Sequence, residues 1–184
     1  AATFSGDVSV PNISVADDIR HTGDSDTYIS FEANNQTYYS GGTRALDLAS
    51  GSAVFNEGGG DVDFRVESNG NANMLFVDGG TNNVGIGLVP TSFSSRTSLD
   101  IGLGGKLWAL TTATETGLGN NFYFDGAYKR LTTNSASRHI QDGNGHTLSV
   151  AASGAANSTI TWIDALIIDS SGAATFSGDI ILPS

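Results

Sequence analysis

The sequence predicts an all-β protein, and three observations carry that prediction. Short runs alternate apolar and polar residues with a period of two, as strands with one covered face do. Each run is bounded by a cluster rich in Gly, Asn, Asp or Ser, such as "YSGGT", "NEGGGD" and "QDGNG". No stretch of a dozen residues keeps apolar positions at i, i+3, i+4 and i+7, so no amphipathic helix is expected. Composition agrees: Gly is 24 of 184 residues, about twice the usual share of ~7%. Many sharp turns per unit length mean many short strands.

Taken in order, "NISVADDIRHTGD" comes nearest to a helix, and "DDI" allows one turn of it. In "TYISFEA", Ile29 and Phe31 face one way while Tyr28, Ser30 and Glu32 face the other. "DFRVES" sets Phe64 and Val66 against Asp63, Arg65 and Glu67; "HTLSVAA" pairs Leu148 with Val150. "TITWI" alternates threonine with Ile160 and Trp162 and reads as a further strand.

A unit recurs within this pattern: a short apolar run, a polar turn containing Gly, then a second short strand. "ALDLASGSAVFN" (45–56), "MLFVDGGTNNVGIG" (74–87) and "ALIIDSSGAATFSG" (165–178) share it. Leu46/Leu48, Leu75/Val77 and Leu166/Ile168 take the first-strand positions, and Val54, Val84 and Thr175 follow the turn. The copies are unevenly spaced, which excludes a regular solenoid and suggests a connector between different modules. The expected organisation is a connector end at 1–12, a β module at 13–56, a hairpin-rich connector at 57–90, a larger β knob at 91–164 and a connector again at 165–184. The knob holds Trp108, Phe122, Tyr123, Phe124, Tyr128 and Trp162, most of the bulky core material. The last connector repeats the first: AATFSGD stands at 1–7 and at 173–179, and Val8, Val10 and Pro11 correspond to Ile180, Leu182 and Pro183. The chain reads as an excerpt cut through two copies of one connector.

Charge and chemistry narrow the function classes. Eight Lys and Arg stand against 19 Asp and Glu, a formal charge of −11. Such a surface repels phosphate, so neither nucleic-acid binding nor attraction to anionic membranes is expected. No apolar run reaches the ~18 residues of a membrane span. With no cysteine there is neither a disulfide nor a thiolate metal site. Paired acids occur at Asp17/Asp18, Asp24/Asp26 and Asp61/Asp63, but inside turn sequences, where Asp bonds backbone amides. The histidines His21, His139 and His146 lack any chelating spacing in sequence, and "DGNGH" (142–146) lacks the acidic twelfth residue of a calcium loop, which is Ser153. No catalytic residue, metal ligand or cofactor is therefore assigned, and the protein is not expected to be an enzyme. The candidate binding residues are those that set aromatic faces beside polar groups, as sugar sites do. They are Tyr38 and Tyr39 in "QTYYSGG", and Tyr123, Asp125 and Tyr128 in "NNFYFDGAY". The alternative is that these aromatics fill strand cores.

Three segments, in order, resemble one family. "SVADDIRHTGDSDTYISFEA" with "RALDLASG" resembles a module of tail fibres of tailed bacteriophages. "FRVESNGNANMLFVDGGTNNVGIG" resembles their strand–turn–strand connector, and "NNFYFDGAYKRLTTNSASRHIQDGNGHTLSVAASGAANSTITWIDALIIDSSGAATFSGD" their β-rich knob. Many such fibres end in a self-cleaving chaperone domain, and no segment here matches it. The resemblance implies an elongated homotrimeric fibre segment, a virion structural protein made in the host cytoplasm and extracellular after release. It would support host attachment beside neighbouring fibre, baseplate or adaptor proteins, and would contact a host surface glycan if it contacts a receptor. A head fibre or other surface appendage is the alternative, and a glycan-binding or glycan-depolymerising tailspike the second.

Overall fold

The computed structural model describes residues 5–7 and 9–180, which form two units divided after Gly60. Residues 1–4, 8 and 181–184 of the two matching connectors lie outside the described residues. Among the described residues there are seventeen strands and no helix, so the all-β prediction is met. The "DDI" segment is not a turn of helix but the heart of a strand, because Ile19 pairs with Ile29 across the sheet.

The first unit is one antiparallel meander: β1 (Asp18–Arg20), β2 (Tyr28–Glu32), β3 (Asn35–Ser40), β4 (Thr43–Ala49) and β5 (Ser52–Phe55) lie in sequence order. Asn34, at φ 62°, makes the tight β2–β3 turn, a backbone region that Asn tolerates better than most residues.

The second unit is built on a ten-stranded sheet. Its strands are β6 (Phe64–Val66), β7 (Leu75–Val77), β8 (Val84–Ile86), β9 (Arg96–Ile101), β10 (Gly105–Leu110), β11 (Glu115–Asn120), β14 (Asn134–Asp142), β15 (Gly145–Gly154), β16 (Ile163–Asp169) and β17 (Ala174–Phe176). They lie side by side in chain order, interrupted only where the small hairpin β12 (Phe122–Phe124) and β13 (Tyr128–Arg130) leaves the sheet to cover it. All neighbours are antiparallel except β8 and β9, which run parallel. The connector hairpins β7–β8 and β16–β17 are continuous with this sheet, because their backbones pair with the knob strands β9 and β15.

The core lies on one face of the sheet. Trp108, Phe93, Phe122, Ala136, Ala151 and Ile160 are buried together, and Phe124, Tyr128, Ile140 and Trp162 pack around them. The rings meet edge to face, Trp108 on Phe122 at 5.3 Å and Phe122 on Trp162 at 5.4 Å between centroids, the arrangement that the ring quadrupole favours. Two glycines on β11 make room: a Cβ on Gly117 would lie 1.9 Å from the Trp108 ring, and one on Gly119 2.3 Å from Phe122. "TITWI" is not a strand. Ile160 and Trp162 belong to an irregular crossing segment that packs on the core, held to β13 by an isolated bridge between Lys129 and Thr159 and by Arg130, which donates to the Thr159 carbonyl.

Candidate interaction surface

Register decides what the other face of the large sheet carries, because residues directly opposite on paired strands point the same way. One row starts at Phe64 and passes through Val77, Val84, Leu99 and Leu107. It continues through Leu118, His139, Leu148, Leu166 and Phe176, one residue per strand. A parallel row holds Val66, Leu75, Ile86 and Ile101 at one end, and Val150 and Ile163 at the other. Ten apolar residues of these rows are well exposed, from 39% at Val77 and Leu148 to 60% at Leu118. Together they make an apolar patch of roughly 800–1,000 Å², beyond the ~300–600 Å² of the largest patch on a typical monomer.

The first unit repeats this on its own scale. Ile19, Ile29, Tyr38, Leu46 and Phe55 share one row; Ile19 and Phe55 are 50% and 54% exposed. The opposite face holds the unit's buried residues, Ser30, Thr37 and Asp47, with Arg44 paired to Asp47. In both sheets an apolar face is open to solvent.

The connector pattern is a hairpin in all three copies. Asp78 accepts from the amides of Gly80 and Thr81 (3.0 and 2.6 Å). Asp169 does the same for Ser171 and Ala173 (2.9 and 3.0 Å). These bonds, led by the Ser171 hydroxyl, hold the Asp169 carboxyl below its ordinary value. Val84 follows the turn on the apolar face as expected, opposite Val77. In the other two copies that face is reached one residue later, by Phe55 and Phe176, while Val54 and Thr175 stand opposite Asp47 and Ile167.

The five candidate sugar-contacting residues are divided between the two units. Tyr38 and Tyr39 belong to β3 of the first unit; Tyr123, Asp125 and Tyr128 belong to the second. Tyr39 stacks on Tyr28 at 4.4 Å, and the Arg20 guanidinium lies 4.0 Å over Tyr28. Tyr38 points to the other face. Tyr123 bonds Asn157 at 3.1 Å, and Asp125 is paired with Lys129 at 2.8 Å, which lowers the Asp125 carboxyl and raises the Lys129 ammonium. Tyr128 packs on the core and accepts from Arg96 at 3.1 Å.

The charged groups drawn inside the second unit have partners there. Lys106, 1% exposed, is paired with Asp100 and donates to Ser98 and Thr91 at 3.3 and 3.1 Å. Burial pushes its ammonium below the ordinary lysine value, against the pull of Asp100. Arg138 lies between Trp162 (4.4 Å) and Tyr128 (4.8 Å). Asp61, Asp63 and Asp78 bring carboxylate oxygens within 4.8 Å of one another; Asp63 and Asp78 already accept from turn amides.

What sequence reasoning missed is a histidine pair. His139 and His146 lie seven residues apart, yet the β14–β15 hairpin brings His139 Nε2 within 3.2 Å of His146 Nδ1. The signal was present in "RHIQDGNGHTL": a two-residue turn at Gly143–Asn144 puts both on one face of adjacent strands. The chain matches no protein-family model, no curated protein and no solved structure.

Proposed function

We propose that this chain is a structural segment of a trimeric bacteriophage tail fibre, which holds a receptor-binding part away from the virion and supports attachment to the host. The observation that carries the reading is the open apolar face of the ten-stranded sheet. A patch of roughly 800–1,000 Å² per chain matches the ~800 Å² that each partner buries in a standard stable interface. A single sheet open to water on its apolar face is completed when further copies cover it, at about 25 cal/mol per Å² of apolar surface removed from water. The order of symmetry, three, rests on the resemblance of the connector and knob motifs. The absence of charged residues from the central row favours contact between copies, since a like-charged row would repel itself across a symmetry axis.

The test is the solution mass of the purified chain by light scattering after size exclusion. The reading expects about three times 18.9 kDa, held on dilution. A folded species of 18.9 kDa at all concentrations overturns it.

A further inference from the structure

In the row that crosses the large sheet, His139 is the one titratable side chain, set between Leu118 and Leu148. His146, on the same face, reaches it. Their ring centroids stand 5.4 Å apart with the planes inclined by 25°, and the approaching atoms are His139 Nε2 and His146 Nδ1 at 3.2 Å. We propose that this cross-strand pair is a chelating site for a late first-row divalent transition metal, Zn²⁺, Ni²⁺ or Cu²⁺.

Spacing is the first argument. Two imidazole nitrogens bound at ~2.0–2.1 Å to one ion, at angles from square-planar to tetrahedral, lie about 2.9–3.4 Å apart. The observed 3.2 Å falls inside that interval without any movement of the backbone. Mounting is the second. Both residues sit on the paired strands of one hairpin, Gln141 opposite His146 and His139 opposite Leu148, so their Cα positions are fixed by the ladder. Electrostatics is the third. The same-face neighbours in register, Leu118, Leu148, Gln141 and Thr116, include no cation, and the chain carries a formal charge of −11.

In the metal-free pair one imidazole donates to the other. An incoming ion takes the lone pairs of His139 Nε2 and His146 Nδ1. Both rings stay neutral: the ring that donated gives its contact proton to solvent and takes one up at its far nitrogen, so the two protons stand on His139 Nδ1 and His146 Nε2. Acid competes for the two lone pairs the ion uses. Each ring turns about its Cβ–Cγ bond to aim its lone pair at the ion, and water fills the open positions. Binding therefore weakens as the solution is acidified. Both ligands come from one hairpin of one chain.

The experiment is calorimetric titration of the full chain with NiCl₂ and with ZnCl₂ in chelator-free buffer. His139→Ala, His146→Ala and, as control, His21→Ala are titrated alongside. One ion per chain is expected, with affinity falling ~10-fold or more in each of the first two variants and unchanged in the third. Nitrogen-15 shifts of the imidazoles in the zinc titration should move at His139 Nε2 and His146 Nδ1. Circular dichroism and solution mass of each variant separate loss of a ligand from loss of fold or assembly. No saturable binding by the wild type, or binding by His139→Ala and His146→Ala as tight as that of the wild type when both remain folded, overturns the proposal.

Discussion

The two units use β-sheet in the same way on one face and in opposite ways on the other. In the second, the face turned from solvent is filled by an aromatic cluster around Trp108 and Phe122. In the first, the residues buried among those described are Ser30, Thr37 and Asp47, none of them apolar. Both leave an apolar face open. A sheet with a hydrophobic layer on one side holds its own structure and has a second face to offer. A five-stranded meander whose buried residues are polar has little but its hydrogen-bond ladder, which in water adds modest net stability. The first unit is therefore expected to gain more from cover on its apolar face than the second.

Perturbing the core of the second unit should break that contrast most severely. Gly117→Val places a side chain where the Trp108 ring stands and is expected to abolish cooperative unfolding of the unit. Trp108→Ala should cost about 3–5 kcal/mol, read by denaturant titration. Next comes the buried pair. Lys106→Met leaves Asp100 without its cation and should cost about 3–5 kcal/mol, while Lys106→Met with Asp100→Asn should recover much of it. The wild type carries a pH signature here. The folded Lys106 value is lowered, so between it and the ordinary lysine value the unfolded chain holds more protons. Stability should therefore rise with pH through that alkaline window, and the double variant should lack the rise.

A change on the open face should separate assembly from folding. Leu118, 60% exposed, contributes little to the monomer's core. Leu118→Asp should lower the solution mass while near-ultraviolet dichroism of the Trp108 cluster persists. Hydrogen exchange sharpens the comparison: in such a dissociated variant, amides of β2–β4 should lose protection while those of β10, β11 and β14 keep it. Equal protection in both units would remove the distinction. The smallest effect is expected at the β16–β17 turn. Asp169→Ala should fray that hairpin locally with a slight fall in Tm. Because the folded Asp169 value is depressed, its contribution is present above the ordinary aspartate value and is lost as pH falls through the folded one.

How much of this was legible follows from what alternation encodes. A period of two says which residues share a face, and Ile29 with Phe31, Phe64 with Val66 and Leu148 with Val150 do so. It does not say which face is covered, and these apolar sets lie on the open one. The hairpin connectors were legible because an Asp or Ser beside Gly marks a turn with a mechanism, as Asp78 and Asp169 demonstrate. "TITWI" misled because Ile160 and Trp162 alternate for a different reason, each reaching the core from a crossing segment. Trp108, Phe122, Phe124 and Trp162 were recognisable as core by size; Tyr128, put forward as a sugar contact, packs there too, while the Tyr123 hydroxyl turns outward to Asn157. Gly117 and Gly119 in "TGLGN" form the floor of the core beneath Trp108 and Phe122, a role that alternation does not signal. The long apolar row and the histidine pair needed register, which pairing across the sheet supplies and sequence spacing does not.

The central claim, that copies of this chain meet through the open face of the large sheet, is tested most directly by placing one spin label there. The chain has no cysteine, so Leu118→Cys carries a single label per copy. Double electron–electron resonance should give one short intermolecular distance with the modulation depth of three spins. A label at Asn157, beside the covering hairpin, should give a longer one. No dipolar coupling at Leu118→Cys in folded protein, or a shorter distance from Asn157 than from Leu118, would contradict the account.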